Sequence, residues 1–448
     1  MATSALGGAS PVAETDERWV TTDTWLFVSF ALGFTLESYI FTLAPIATGW
    51  VHEPASLRSL LLAWAPIWLI VGIAVAGPLA DRLGRKDTFY LTMALYGLGA
   101  IGLIFSNTYV LVLVFLAVLL FAAGGEMNTI MAATHEVMPT RHRSKATMLA
   151  LNFINFGGLV VAVVDIAVTA ANSSVSFQRG MIAVTILVIL FVLLLARSKT
   201  PESVRWLEKR GRSADARAEI ARYYGEAEWA ARARHAAAAT SRSLAEPGRH
   251  RPSIALRLFV TITTAFAGTA GFGLLVYTLG PVHYPHRTAD IILIAELVGF
   301  VSGIFALWAD RLSRKLLLFV GYFGAAILTL VIFLTYGSWV GNFSIFLLML
   351  VVLSIFVNIS YLTEDTLKAE VWATEQRSTW TAVVRFVSIG AYIGTIYLTE
   401  HYSTQGLIAF NLVVWIIGLA GAVVWLFAGS ETGKGASVEY ASGETGLP

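Results

Sequence analysis

Ala80-Asp81-Arg82-Leu83-Gly84-Arg85-Lys86 returns 229 residues later as Ala309-Asp310-Arg311-Leu312-Ser313-Arg314-Lys315, with six of the seven letters unchanged. Each copy is a short charged knot between two long apolar stretches. A second echo runs beside the first. Glu136-Val137, Thr140 and Arg143-Ser144 reappear as Glu370-Val371, Thr374 and Arg377-Ser378, all displaced by 234. Two echoes at nearly one displacement point to duplication of a multi-helix unit, with a few residues of loop drift between them.

Of the 448 residues, 56% are hydrophobic and 13% are charged, against ~25% charged in a soluble chain. The shortfall implies that much of the surface meets lipid. A membrane-crossing helix needs ~20 mostly apolar residues. Twelve stretches qualify, at roughly 25–48, 57–79, 88–107, 109–134, 145–171 and 179–197, then 254–280, 288–309, 315–336, 343–366, 376–399 and 406–428. The expected fold is an all-α membrane protein of twelve transmembrane helices in two pseudo-symmetric six-helix bundles. Residues 1–197 and 253–448 form the bundles, each with a short tail. Residues 198–252 join them. This linker is rich in Arg, Glu and Ala, and Ser213 to Ala239 reads as one or two surface helices.

Basic residues set the expected orientation. Arg82, Arg85, Lys86, Arg141, Arg143, Lys145, Arg311, Arg314, Lys315, Lys368 and Arg377 fall in alternate loops, and the linker adds more. The other loops hold only Arg58, Arg179 and Arg287. The basic loops and, with an even helix count, both termini are expected on the cytoplasmic side of the cell membrane. Met1 to Thr24 lacks the basic start of a cleaved leader, so the first apolar segment reads as a retained helix.

Several classes are excluded. With no cysteine there is no disulfide, thiol nucleophile or Cys-based metal site. A net charge of +2 gives no nucleic-acid footprint. His283-Tyr284-Pro285-His286 is a poor metal site. No G-x-x-x-x-G-K-[ST] loop and no nucleophile–base constellation stand out, so the chain does not read as an enzyme or an ATP-driven pump. No cofactor or metal is expected.

Gly77-Pro78-Leu79-Ala80-Asp81-Arg82-Leu83-Gly84-Arg85-Lys86 resembles the G-x-x-x-D-R-x-G-R-[RK] signature of the major facilitator superfamily. Pro201-Glu202-Ser203-Val204-Arg205-Trp206-Leu207 followed by Gly211-Arg212 is similar to the P-E-S-x-R-W-L…G-R motif of its sugar-porter-like branch. So is Gly124-Gly125-Glu126 with Glu136, Pro139, Arg141 and Arg143, and, more faintly, Glu431-Thr432, Gly435 and Val438-Glu439. The resemblance implies alternating access between two bundles and a small-molecule substrate, with the proton as coupling ion and a monomer in the bilayer as working unit. It also implies that Gly77, Asp81, Arg82, Gly84, Arg85 and Lys86 form a conformational latch. Asp310, Arg311 and Arg314 repeat it, and Glu136, Arg143, Glu370 and Arg377 lie in matching loops beside it. Gly84 suits a tight turn. Ser313, at the equivalent place, implies a looser one.

Two features depart from sugar porters. Thr261 to Gly280 contains no Gln, and Val357 to Thr366 contains no Gly-Pro-x-x-Trp. The expected substrate is therefore a small organic acid or another metabolite. Charged residues inside spans are costly, and each is a functional candidate. Glu37 and Glu126 are proton or substrate candidates. Arg385 reads as the only basic residue deep in a span, able to neutralise an acid or receive a carboxylate. Asn152 and Asn155, three apart and near one face, join Asn358 and Tyr361 as polar candidates. Asp165 and Glu296 are weaker ones, Glu364 and Asp365 fall towards a helix end, and Trp64, Trp68, Tyr277 and Trp380 are possible wall aromatics. The leading expectation is proton-coupled symport. Uniport of a sugar or organic ion and proton-antiport export are the alternatives.

Overall fold

The computed structural model describes residues 19–50, 57–139, 142–234, 252–372 and 374–433. Gly77 and the side chains of Asp81, Glu136 and Arg377 lie outside the described residues. Twelve helices are long and apolar enough to cross a membrane. Spans 1 to 6 are Thr21–Ala47, Arg58–Ala80, Arg85–Phe105, Tyr109–Met131, Arg143–Ala171 and Val175–Arg197. Spans 7 to 12 are Ile254–His283, Pro285–Arg311, Arg314–Leu334, Phe343–Glu370, Thr379–Leu398 and Thr404–Ala428. No strand occurs among the described residues. In lipid each backbone polar group needs an internal partner, which a helix supplies. Small residues let helices approach where the bundle is tightest. Gly124 stands against the backbone of Leu69 and Gly125 against Ala76, drawing span 4 onto span 2.

Both knots are helix starts locked by a distant carboxylate. Gly84 has φ 105°, in the left-handed region that glycine takes readily. The backbone N–H groups of Arg85 and Lys86 donate to Glu202 at 3.1 and 3.0 Å, and Lys86 Nζ donates to the Thr200 carbonyl at 3.2 Å. An anion at a helix N-terminus satisfies orphan donors and complements the helix dipole. Burial nevertheless pushes the Glu202 carboxyl above the usual carboxylate range.

The second knot repeats this lock. Arg314 N–H donates to Glu431 at 2.8 Å, and Lys315 Nζ donates to the Gly429 carbonyl at 3.1 Å. Glu431 and Gly429 stand 229 residues after Glu202 and Thr200, the displacement of the knots themselves. The looser second turn is not found. Ser313 has ordinary extended angles, caps its helix by accepting from Leu316 N–H, and donates its hydroxyl to Glu431.

Other expectations shift at the helix ends. Arg143 opens span 5 and Glu370 closes span 10, so both are helical rather than in loops. Glu136 and Arg377 also lie on helical backbone, in Tyr109–Val137 and Thr374–Leu398. The helices simply run past the apolar windows. Lys368, assigned to a basic loop, is buried within the last turns of span 10. In the linker, Val204–Lys209 and Ser213–Tyr223 are helical, as are residues 226–234. Arg232 reaches back to buried Asp23 with two hydrogen bonds of 3.1 and 2.7 Å, and Thr22 donates to the Tyr223 carbonyl at 2.6 Å. This part of the linker is bound to the start of span 1.

Two spans lose α geometry. Span 7 widens into a π turn at Gly273–Thr278, and span 8 finishes as a 3-10 helix at Gly303–Arg311. Such irregular turns often accompany functional sites.

Candidate functional site

A cavity of about 140 Å³ lies between the halves. Span 1 gives it Glu37, Ser38 and Phe41, and span 5 gives Asn155. The second half supplies Tyr277 from the π turn, Glu296 and Gly299 from span 8, Asn358 and Tyr361 from span 10, and Tyr392 from span 11. Local geometry explains the convergence. The π turn re-aims the Tyr277 side chain, whose hydroxyl donates to Glu296 at 2.7 Å and accepts from Thr42 of span 1 at 3.3 Å.

Three asparagines stitch the halves at the cavity wall. Asn155 donates to Asn152 at 3.0 Å and to Asn358 at 2.8 Å. Asn152 donates to the Phe300 carbonyl at 2.8 Å, and Asn358 to the Gly299 carbonyl at 2.7 Å. Glu37 is 5% exposed, and its Oε2 has no hydrogen-bond partner. A carboxyl oxygen left this way is costly to bury ionised and cheap to protonate.

The expected residues divide accordingly. Glu37, Asn155, Asn358 and Tyr361 line the cavity, and Asn152 supports them. Glu126 does not line it. Its carboxylate is held by Arg197, which also reaches Ser29 at 3.3 Å and lies 3.9 Å over the Phe89 ring; Thr92 adds a hydrogen bond at 3.0 Å. Arg385 is off the wall too. Its Nη2 donates to both oxygens of Asp365 at 3.1 and 3.0 Å, while Nε and Nη1 have no partner. Lys368 shares Asp365 at 2.7 Å and meets Glu364 at 3.3 Å. Arg385 is thus one of several buried cations, Arg197, Arg314 and Lys368 being others.

Glu296 is the residue that sequence reasoning underrated. Its sequence context matches that of Asp165, which is not on the wall. Trp64 and Trp68 pack on each other and Trp380 stacks on Trp372, so of the suggested aromatics Tyr277 and Tyr361 reach the cavity. Among the described residues the wall carries two carboxyls and no Lys, Arg or His.

At the knot end, a further contact crosses the halves. Ser144 donates to Glu370 at 3.2 Å. Arg314 stands 3.6 Å from Glu370 within the second half. Arg143 is buried, whereas Arg82 and Arg311 are exposed.

Comparison with known proteins agrees with this architecture. The model of the family described as "Sugar (and other) transporter" matches residues 26–357. A glucose transporter of Staphylococcus epidermidis is 29% identical over 41% of this chain and 41% of its own length. A niacin transporter of Acinetobacter baylyi is 26% identical over 43% and 42% respectively. The alignments with these curated relatives thus span about two-fifths of either protein. The proton:xylose symporter XylE, solved with 6-bromo-6-deoxy-D-glucose, superposes with a TM-score of 0.73 at 18% identity, covering 94% of this chain and 98% of that one. The partly occluded inward-open form of XylE from E. coli gives 0.72 at 16% identity, covering 92% and 99%.

Proposed function

We propose that this chain, which belongs to the sugar (and other) transporter family of the major facilitator superfamily, carries a small, neutral, polyhydroxylated solute across the membrane together with a proton. The wall of the cavity carries this reading. It offers carboxyl, amide and phenol groups, the partners that hydroxyls need, and no cation to receive a carboxylate. The organic-acid expectation came from two departures from the sugar-porter pattern, and Arg385, the candidate receiver of a carboxylate, is bonded to Asp365 instead. That relatives at this distance include a glucose and an inositol transporter supports a polyol or monosaccharide class.

Glu37 is the proton carrier in this reading. Protonated, it donates to a solute hydroxyl or sits neutral in the cavity. Ionised, it is drawn by the field of Arg385. Alternating exposure of the cavity then loads proton and solute on one side and frees them on the other. The contact of Ser144 with Glu370 serves as part of the latch that parts as the halves rock, while the two locked helix starts hold each knot firm within its own half. A hydrogen bond to a charged group contributes only ~1.5–3 kcal/mol net, little enough for a contact broken in every cycle. In this reading the knot end faces the cytoplasm, which the excess of Lys and Arg in its loops supports. The working unit in this reading is the monomer, which a cavity lined by both halves of one chain supports.

The test is uptake into proteoliposomes with the interior alkaline, using monosaccharides, polyols, niacin-like acids and organic cations. Accumulation of a neutral solute above equilibrium, reduced to simple equilibration in Glu37→Gln, is the expected result. Accumulation of a carboxylate that disappears in Arg385→Ala would overturn the neutral-solute reading. Accumulation of a cation would do the same and make the two carboxyls its receptor.

A further inference from the structure

A second cavity lies away from the transport site, in a crevice between span 2 and span 11. It measures about 380 Å³ and is walled by Ile70, Ile73, Ala74 and Pro78 on one side and by Ala382, Val383, Phe386 and Val387 on the other. Thr379 and Asn128 complete it. The two walls come from different halves. Val383, Phe386 and Val387 are 39%, 59% and 42% exposed, so the crevice opens sideways to the bilayer.

Its polarity is graded along its length. Thr379 is the first residue of span 11, and Pro78 lies within a turn of Ala80, the last residue of span 2. Asn128 is 5% exposed, lines the crevice, and makes no side-chain hydrogen bond among the described residues. Its amide is open to the crevice, and an amide facing apolar walls without a partner is costly, so its place on this wall asks for an acceptor from outside the chain. Pro78 also lacks the N–H that the Ala74 carbonyl would otherwise receive. Beyond these groups the walls are wholly apolar. From Pro78 to Ile70 the helix runs about 12 Å, close to the ~15 Å hydrocarbon depth of one leaflet. Arg82 stands one turn beyond Pro78, exposed at the helix end.

We propose that this crevice is a binding site for a glycerophospholipid of the leaflet at the knot end. One acyl chain fills the groove between Ile70, Ile73, Val383 and Phe386. An ester carbonyl accepts from Asn128 Nδ2, and the phosphate lies within reach of Arg82. The lipid then touches both halves along a seam that must change as they rock, so its presence favours the arrangement seen here.

The test uses the purified full chain in detergent, incubated with phosphatidylglycerol carrying a photoreactive diazirine in one acyl chain. Labelled peptides should map to spans 2 and 11. Ala382→Phe and Ala74→Phe, which fill the groove, should each lower labelling at least fivefold, and Asn128→Leu about threefold. Unlabelled phosphatidylglycerol should compete, while a free fatty acid should compete at least tenfold less well. Unchanged melting temperature and elution profile certify that the variants are folded, and having two groove fillers guards against the loss of one. Labelling spread evenly over lipid-facing positions such as Leu98 and Phe191, or undiminished in both folded groove variants, would overturn the proposal. Equal competition by free fatty acid would remove the ester and phosphate contacts from it.

Discussion

Arg197 and Arg385 are both buried, and each faces an acid on a neighbouring span. They are used differently. Arg197 spends its donors on Glu126, Ser29 and the Phe89 carbonyl and lies over an aromatic ring. Arg385 engages Asp365 through Nη2 and keeps Nε and Nη1 without partners. A saturated guanidinium ties two helices together. An unsaturated one keeps donors free for a group that gains and loses a proton. Of these two arginines, the one in the first half is held as structure, and the one in the second keeps donors available for work.

The sharpest way to break this contrast is Arg197→Met. It strands Glu126 in the bundle, and removing one member of a buried pair costs ~3–5 kcal/mol. The variant should fail to give monodisperse protein, and Glu126→Leu added to it should restore most of the melting temperature. If Arg197→Met alone is as stable as the parent, the pair is not a structural tie. Arg385→Ala is the counterpart. Asp365 keeps Lys368 as a partner, so the protein should fold with a smaller fall in melting temperature while uphill uptake drops at least tenfold. An Arg385 variant that fails to fold as badly as Arg197→Met would erase the distinction. Glu37→Gln should keep solute exchange between equal compartments and lose gradient-driven accumulation.

The knots sharpen the comparison at lower cost. Gly84→Ala places a side chain at positive φ, with its Cβ 2.6 Å from Glu202 Oε2, and should lose ~1–2 kcal/mol. Ser313→Gly should lose only a few tenths, since glycine is a fair N-cap. Equal losses would mean that the two turns are alike after all. The smallest effect is a pH slope. Burial raises the Glu202 carboxyl above its unfolded value, so the folded state holds that proton more tightly. Its contribution is full below the unfolded value of ~4.3 and is lost as pH rises through the folded value. The parent's melting temperature should therefore fall relative to Glu202→Gln as pH is raised from about 4 towards neutrality, and a flat difference would show the backbone donors prevailing over burial.

The twelve spans were legible because lipid demands long apolar runs, and the halves because both knots survived duplication. Glu37 was legible because a lone acid in mid-span has few innocent explanations. Lys368 was misread since a charge near a span's end looks like a loop; Asp365 and Glu364, one turn back, let it stay inside the helix. The Glu126–Arg197 pair joins residues 71 apart, a partnership no local pattern encodes. Glu296 looked no different from Asp165 until the π turn of span 7 brought Tyr277 onto it. The match of Glu431 to Glu202 could have been found, because it shares the 229-residue displacement of the knots.

Each half also closes on itself. The first caps span 3 with its own Glu202 and holds its trailing helices through Asp23 and Arg232. The second caps span 9 with its own Glu431. None of these ties reaches across residues 235–251. A gene cut between codons 234 and 252 would thus yield two fragments that each keep every staple they need. Expressed together, they should find one another in the bilayer and reassemble a working carrier from separate chains.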